Sequence, residues 1–365
     1  MISFVLEGLL RALRMAQHWL RPSAPLREEV LELKGPEGPM LVSRFGPSGP
    51  GPWPSWILLH GVASPGREHT VLVRLARSLA SSGAEVFVPG VEAWTQLQLA
   101  PHLSEGVITS TLAAIEADPR CTAGPGLMGF SFGGAQALRV AALPETRGRL
   151  SCVFCFGGYH DFRAALAFLF EGEFMHEGRR VQMVPDAYGL WIVAINYLLE
   201  VPGYAECAPL VEVLRELAVF TGDFQLETWD PRARRKIELC RAKLAPEWHE
   251  LFDVFVPPEP RAPRLDPALA EALISGMSEV ALARDPHLRF PDRLELDLPV
   301  FLLHGRDDAL SPFTQTLAMR EHIVAKDLTV ALTGLIAHSE SGRPDKPVRE
   351  VLELARVAAR VLAQR

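Results

Sequence analysis

The stretch Gly126-Leu127-Met128-Gly129-Phe130-Ser131-Phe132-Gly133-Gly134 decides the fold class because of what flanks it. It opens on a short apolar run, Gly126 to Gly129, and leads into helical periodicity from Phe132 to Leu143, stopped by Pro144. A serine on a tight strand-to-helix turn needs neighbours two positions away with no side chain to clash, and Gly129 and Gly133 supply them. The serine oxygen then sits at a helix N-terminus, where the dipole and free N–H groups favour negative charge. In this setting G-x-S-x-G marks Ser131 as a candidate nucleophile.

The same alternation recurs on both sides of the turn. Upstream, Trp56 to Leu59 has strand length, Thr70 to Ser82 is helical and ends at Gly83, Glu85 to Val88 is a strand, and Ser104 to Ala117 is a helix stopped by Asp118-Pro119. Downstream, Leu150 to Phe156 is another buried strand. Strands apolar on both faces, alternating with helices, indicate a parallel sheet covered on both sides. Glu28 to Leu33 and Met40 to Arg44, split by a Gly/Pro turn, read as a hairpin. From about Asp161 to Glu295 the pattern lapses into helical segments and proline-rich joints with no convincing apolar strand. It resumes with a strand at Pro299 to Leu303, a helix around Phe313 to Val324, a strand at Leu328 to Leu332 and a helix from Pro347 to Leu362. The expectation is an α/β fold with a mostly parallel, roughly eight-stranded sheet and helices on both faces. Its core comprises residues 22–160 and 296–365, and residues 161–295 form a helical insertion.

With 37 basic and 44 acidic residues the net charge is −7, which argues against a nucleic-acid binder needing a basic surface. The insertion alone carries 15 basic and 23 acidic residues, so the acidity is concentrated there. Five cysteines, an odd number, read as free thiols of a reducing, cytoplasmic compartment. The longest apolar stretch, Leu190 to Leu199, is about half the roughly 20 residues of a membrane span, and Asn196 and Tyr197 interrupt it. Residues 1–21 do not read as a signal peptide, because Glu7, Arg11 and Arg14 break the apolar part and no small-x-small cleavage site follows. Ile2, Val5, Leu6, Leu9, Leu13, Ala16 and Leu20 recur instead at helical spacing. They form an amphipathic helix that packs on the body, as such stripes usually do, or lies on a membrane as a peripheral contact.

A serine hydroxyl is a weak nucleophile that needs an adjacent base, itself oriented by an acid. Among eleven histidines, His338 stands in the loop after the strand Leu328 to Thr333, at the carboxyl edge shared with Ser131, where ligands bind in parallel sheets. His338 is the candidate base. His60 and His304 each precede a glycine at the end of an apolar strand and are assigned structural roles, bonding loop backbone. The turn Gly305-Arg306-Asp307-Asp308-Ala309-Leu310-Ser311-Pro312 supplies the acid: either Asp307 or Asp308 can reach a histidine from that edge, with Asp161 a third candidate.

Taken together, these residues resemble the α/β-hydrolase superfamily: a strand ending in His60-Gly61, the elbow at Ser131, an acid in a G-x-x-D-x-x-x-P turn from Gly305 to Pro312, and the late His338. The resemblance covers residues 22–160 and 296–365 and not the insertion. It implies that Asp308 is the acid, that the backbone N–H groups of Val62 and Phe132 form the oxyanion hole, and that residues 161–295 are a lid or cap. The HGGG form of some lipases and esterases is absent, which disfavours those subfamilies. The implied activity is hydrolysis of a carboxylic ester through an acyl-enzyme, with an apolar or medium-chain acyl compound as substrate. The acidic insertion disfavours strongly anionic substrates. Acyl transfer, thioester hydrolysis and peptide cleavage run on the same triad, and the fold also serves non-catalytic binding proteins.

Other features have plainer readings. Cys152 and Cys155 match C-x-x-C, but on a strand their thiols face opposite sides, so no metal or redox site is expected. Arg232, Arg234, Arg235 and Lys236 read as a solvated helix face. No G-x-G-x-x-G follows a strand and no Walker-type loop is present, so nothing calls for a cofactor.

Overall fold

A computed structural model of the chain describes residues 2–22, 24–257, 266–335 and 348–364. Helix α1 (Ile2–Leu20) precedes the hairpin β1 (Leu26–Gly35) and β2 (Gly38–Pro47). The alternating part follows as β3 (Ser55–Leu59), α2 (Thr70–Ser81), β4 (Glu85–Pro89), α3 (Glu92–Thr95), α4 (Leu103–Ala117), β5 (Gly126–Phe130), α5 (Phe132–Ala141) and β6 (Cys152–Phe156). The insertion holds α6 (Phe162–Glu171), β7 (Glu173–His176), β8 (Arg179–Gln182), α7 (Ala187–Tyr197), α8 (Ala208–Phe224), α9 (Pro231–Arg241), α10 (His249–Phe255) and α11 (Pro267–Arg284). The chain ends with β9 (Leu294–Gly305), α12 (Thr314–His322), β10 (Ile323–Thr333) and α13 (Val348–Ala363).

Eight strands form one sheet in the order β1-β2-β4-β3-β5-β6-β9-β10, antiparallel at β1/β2 and β2/β4 and parallel elsewhere. The central strands are apolar throughout because the sheet has two cores. Successive side chains on a strand point to opposite faces. Trp56, Leu58, Cys152 and Phe154 therefore join α2 and α13 on one face, and Ile57, Leu59, Val153 and Cys155 join α4, α5 and the insertion on the other. The insertion's buried side chains, such as Trp191, Leu214 and Leu273, belong to the same cluster as that second face. No helix among the described residues is long and apolar enough to cross a membrane.

Three local expectations change. The helix expected to run to Val324 ends at His322, because the β-branched pair Ile323 and Val324 joins β10 opposite Leu294 and Glu295. The insertion is not purely helical: β7 and β8 pair around Glu177 and Gly178, both at positive φ, in strands too short to show a period. The third concerns the N-terminal helix. It does pack on the body, against α2 and α13, but not through Leu9, Leu13, Ala16 and Leu20 of its apolar stripe. The inward side carries Gly8, Ala12, Met15, His18 and Trp19, whereas Leu9, Leu13, Ala16 and Leu20 are exposed. A Cβ at Gly8 would run into the Ala359 backbone oxygen, and Arg11 donates to the Leu362 carbonyl at 3.4 Å. Close approach of two helices needs small residues, so the leucines are left outside.

Candidate active site

Ser131 sits between β5 and α5 at φ 53° and ψ −123°, a conformation L-residues rarely adopt. Its neighbours make that turn possible. A Cβ on Gly129 would strike the Gly133 carbonyl, and one on Gly133 would strike the His60 carbonyl, so both glycines are required by backbone packed on backbone. The Ser131 N–H donates to the Phe156 carbonyl of β6 at 2.7 Å, which anchors the turn to the neighbouring strand. Gly61 faces the serine side chain: a Cβ built there would lie 3.3 Å from Ser131 Cβ and 3.8 Å from Oγ. The loop after β3 and the elbow are thus in direct contact.

Val62 follows Gly61 and is half-buried, and Phe132 opens α5, where a backbone N–H has no intrahelical acceptor. The Phe132 ring is buried edge-on to Trp94 at 5.0 Å and stacked on Tyr159 at 6.2 Å. His60 is fully enclosed beneath this loop. Its Nε2 accepts from the Val91 N–H at 3.0 Å and its Nδ1 meets the Gly61 carbonyl at 2.6 Å. An amide can only donate and a carbonyl only accept, so the ring is the neutral Nδ1–H tautomer. Burial pushes its pKa down to about 4. The structural role read for His60 agrees with this geometry.

Asp308 lies just past β9 at the same carboxyl edge and is fully buried. Its Oδ1 accepts from the N–H groups of Leu310 at 2.9 Å and Ser311 at 3.0 Å. Its Oδ2 is 3.2 Å from His304 Nε2. His304 also donates from Nε2 to the Ser311 carbonyl at 2.8 Å and takes the Thr316 hydroxyl on Nδ1 at 2.7 Å, again a structural histidine. Asp307 is exposed. Asp161 is exposed too, and caps α6 by accepting from the Ala164 N–H at 2.9 Å. His338 lies outside the described residues. The chain approaching it is in place: Thr333 pairs with Gly305, and the Arg306 N–H donates to the Thr333 carbonyl at 2.7 Å, so β10 ends beside the Asp308 turn.

Two groups from the insertion reach this edge that sequence reasoning did not single out. The Tyr188 hydroxyl on α7 donates to the Val62 carbonyl at 3.2 Å. Two residues earlier, the Asp186 N–H donates to the Ala309 carbonyl at 2.8 Å, while its carboxylate caps α7 through the Tyr188 N–H. Burial pushes the Asp186 pKa up, and burial with the Asp186 and Asp223 charges pushes the Tyr188 pKa up as well. The only signal was Asp186 before an apolar run, which marks a helix start and not a site. Trp94, on the single-turn α3, was likewise silent.

The remaining groups behave as structural features. Cys152 and Cys155 are buried on opposite faces, and burial pushes both thiols up to about 12. In the basic cluster Arg232 pairs with Asp230 at 2.9 Å, Arg234 donates to the Pro257 carbonyl at 3.1 Å and Lys236 pairs with Glu216 at 2.6 Å.

The strand order and directions are those of the α/β-hydrolase fold. The chain is similar in structure to a 2,6-dihydroxy-pseudo-oxynicotine hydrolase, at 17% identity and TM-score 0.46 over 96% of this chain and 73% of that one. It is similar to a bacterial brefeldin A esterase at 15% identity and TM-score 0.48, covering 98% and 86%. It is also similar to an acetyl xylan esterase from Paenibacillus at 12% identity and TM-score 0.44, covering 97% and 94%. No protein-family model and no curated protein matches the sequence.

Proposed function

For a chain with the α/β-hydrolase fold, we propose a serine hydrolase that cleaves a carboxylic ester with an apolar or medium-chain acyl group. The observation that carries the reading is the Ser131 turn: a non-glycine residue held at φ 53° with its side chain against Gly61, at the start of a helix. Strain of this kind costs on the order of 1–3 kcal/mol and persists where surrounding structure enforces it, as at a nucleophile.

In this reading Ser131 attacks the acyl carbon and His338 takes its proton, then returns it to the leaving alcohol. Asp308 holds the imidazole, and the N–H groups of Val62 and Phe132 receive the oxyanion. Water releases the acyl group. Two observations support the choice of Asp308 over Asp307 and Asp161: it alone of the three is buried, and backbone donors hold one of its oxygens in place. Two residues lie between Leu335 and His338, so up to about 10 Å of chain leads on from the end of β10, which stands beside the Asp308 turn. Residues 161–295 serve as the cap, a role supported by the contacts of Tyr188 and Asp186 with the loops after β3 and β9. The half-buried Val62, next to the Gly61 that touches the serine side chain, supports an apolar acyl group. Five free thiols fit a reducing, cytoplasmic setting.

A fluorophosphonate probe tests the reading. The wild type is expected to label and Ser131→Ala to remain silent, with p-nitrophenyl ester rates that rise with acyl length over the short to medium range. A silent wild type would instead identify a binding protein on this fold, and labelling with background ester rates would point to acyl transfer, thioester or peptide chemistry.

A further inference from the structure

We propose that the outer face of α1 docks on an anionic lipid surface. The helix is amphipathic, yet it is seated on α2 and α13 by Gly8, Ala12, Met15, His18 and Trp19. What it turns to solvent is its apolar side: Leu9 is 43% exposed, Leu10 49%, Leu13 58% and Leu20 76%. Leu9, Leu13, Ala16 and Leu20 stand one above the other along the helix, and Leu10, Arg14, Gln17 and Arg21 form the adjoining row. Burial of so much leucine surface is forgone in this structure, which is the arrangement of a helix lying in a membrane interface and not of one serving a core.

The charges select the occupant. Arg14 and Arg21 are exposed and have no ion pair among the described residues, and no acidic residue occurs from Gly8 to Pro22. The seat itself is fixed: Arg74 donates to the Trp19 carbonyl at 3.2 Å and lies over the Trp19 ring at 4.3 Å. An apolar stripe flanked along the helix by Arg14 and Arg21 matches acyl chains beneath anionic headgroups. A second copy docked through this same face would set cations against cations. The inference is independent of the esterase reading, since the face lies on the body and involves neither Ser131 nor Asp308.

Flotation of the purified full-length chain tests it, with vesicles of phosphatidylcholine mixed with phosphatidylglycerol against phosphatidylcholine alone. The wild type is expected to float with the anionic vesicles, less so at high salt. Leu9→Asp/Leu13→Asp is expected to stay at the bottom with an unchanged melting temperature. Arg14→Glu and Arg21→Glu should each lower partitioning by about fivefold or more, the worth of one basic residue near such a surface. Wild type that fails to float, or that floats no better than the leucine variant, overturns the proposal. So does a wild-type dimer in free solution that the leucine variant converts to monomer, because the occupant is then a second copy.

Discussion

The Tyr188 hydroxyl and the Val62 carbonyl, 126 positions apart, are joined by a hydrogen bond of 3.2 Å. Val62 belongs to the loop that touches Ser131 through Gly61, and Tyr188 opens the helix that Asp186 caps. Residues of the 161–295 segment therefore hold a peptide beside the elbow in place. Because burial and nearby carboxylates raise the Tyr188 pKa, its hydroxyl remains a donor across the neutral range.

Removing that donor gives the first prediction. Tyr188→Phe keeps the ring and loses one neutral hydrogen bond, worth about 1 kcal/mol. If the bond aligns the oxyanion loop, kcat for a short p-nitrophenyl ester falls about fivefold and KM stays near the wild-type value. A change confined to KM would mean that Tyr188 only walls the acyl site.

The contrast between Ser131 and Tyr188 shows which parts of the site can be read from sequence. Ser131 is readable because the elbow is a local demand: two glycines, a strand before and a helix after lie within a dozen residues. The central strands β3 to β6 are readable for a related reason, since burial on both faces makes them nearly continuous apolar runs. Tyr188 has no local signature; its relation to Val62 exists only once α7 is folded over the sheet edge. Helix α1 shows a different failure. Its periodicity correctly identified a helix, but the side used for packing was chosen by Gly8 and Ala12, which allow close approach, and not by the leucines.

The strain at Ser131 makes a trade between stability and chemistry measurable. Glycine accepts the φ and ψ found there at little cost. Ser131→Gly should therefore abolish fluorophosphonate labelling while raising stability by about 1 kcal/mol, a rise of about 1–2 °C in melting temperature for a chain of this size. Calorimetry decides it. A melting temperature equal to or below that of wild type would mean the turn stores no strain.

His60 sets a pH window for stability. The unfolded imidazole takes a proton near its ordinary pKa of 6.5, whereas in the folded chain burial holds it neutral down to about 4. Between these values the unfolded state binds more protons, so stability is complete above about 6.5 and is lost progressively as pH falls toward 4. His60→Gln, which offers a donor and an acceptor without titrating, should flatten urea-unfolding stability across that window. An unchanged slope would assign the pH dependence to other groups.

A lower window belongs to Asp118. Burial alone would raise its pKa, but hydrogen bonds from Arg120 and from Arg44, the latter at 2.6 Å, outweigh burial and hold the carboxyl well below its ordinary 3.8. A depressed carboxylate adds stability that is present above the unfolded value and lost as pH falls through the folded one, so this contribution fails only below 3.8, beneath the His60 window. Asp118→Asn keeps the shape and loses the charge that meets Arg44, a guanidinium only 2% exposed that also holds Glu85 at 2.8 Å. At neutral pH the variant should be about 1.5–3 kcal/mol less stable, the range for a hydrogen bond to a charged group. As pH falls below 3.8 the gap to wild type should close, because the unfolded wild-type chain then binds a proton at Asp118 that the folded chain does not. A gap that persists at low pH would show that the lost stability is packing at this corner and not the ion pair.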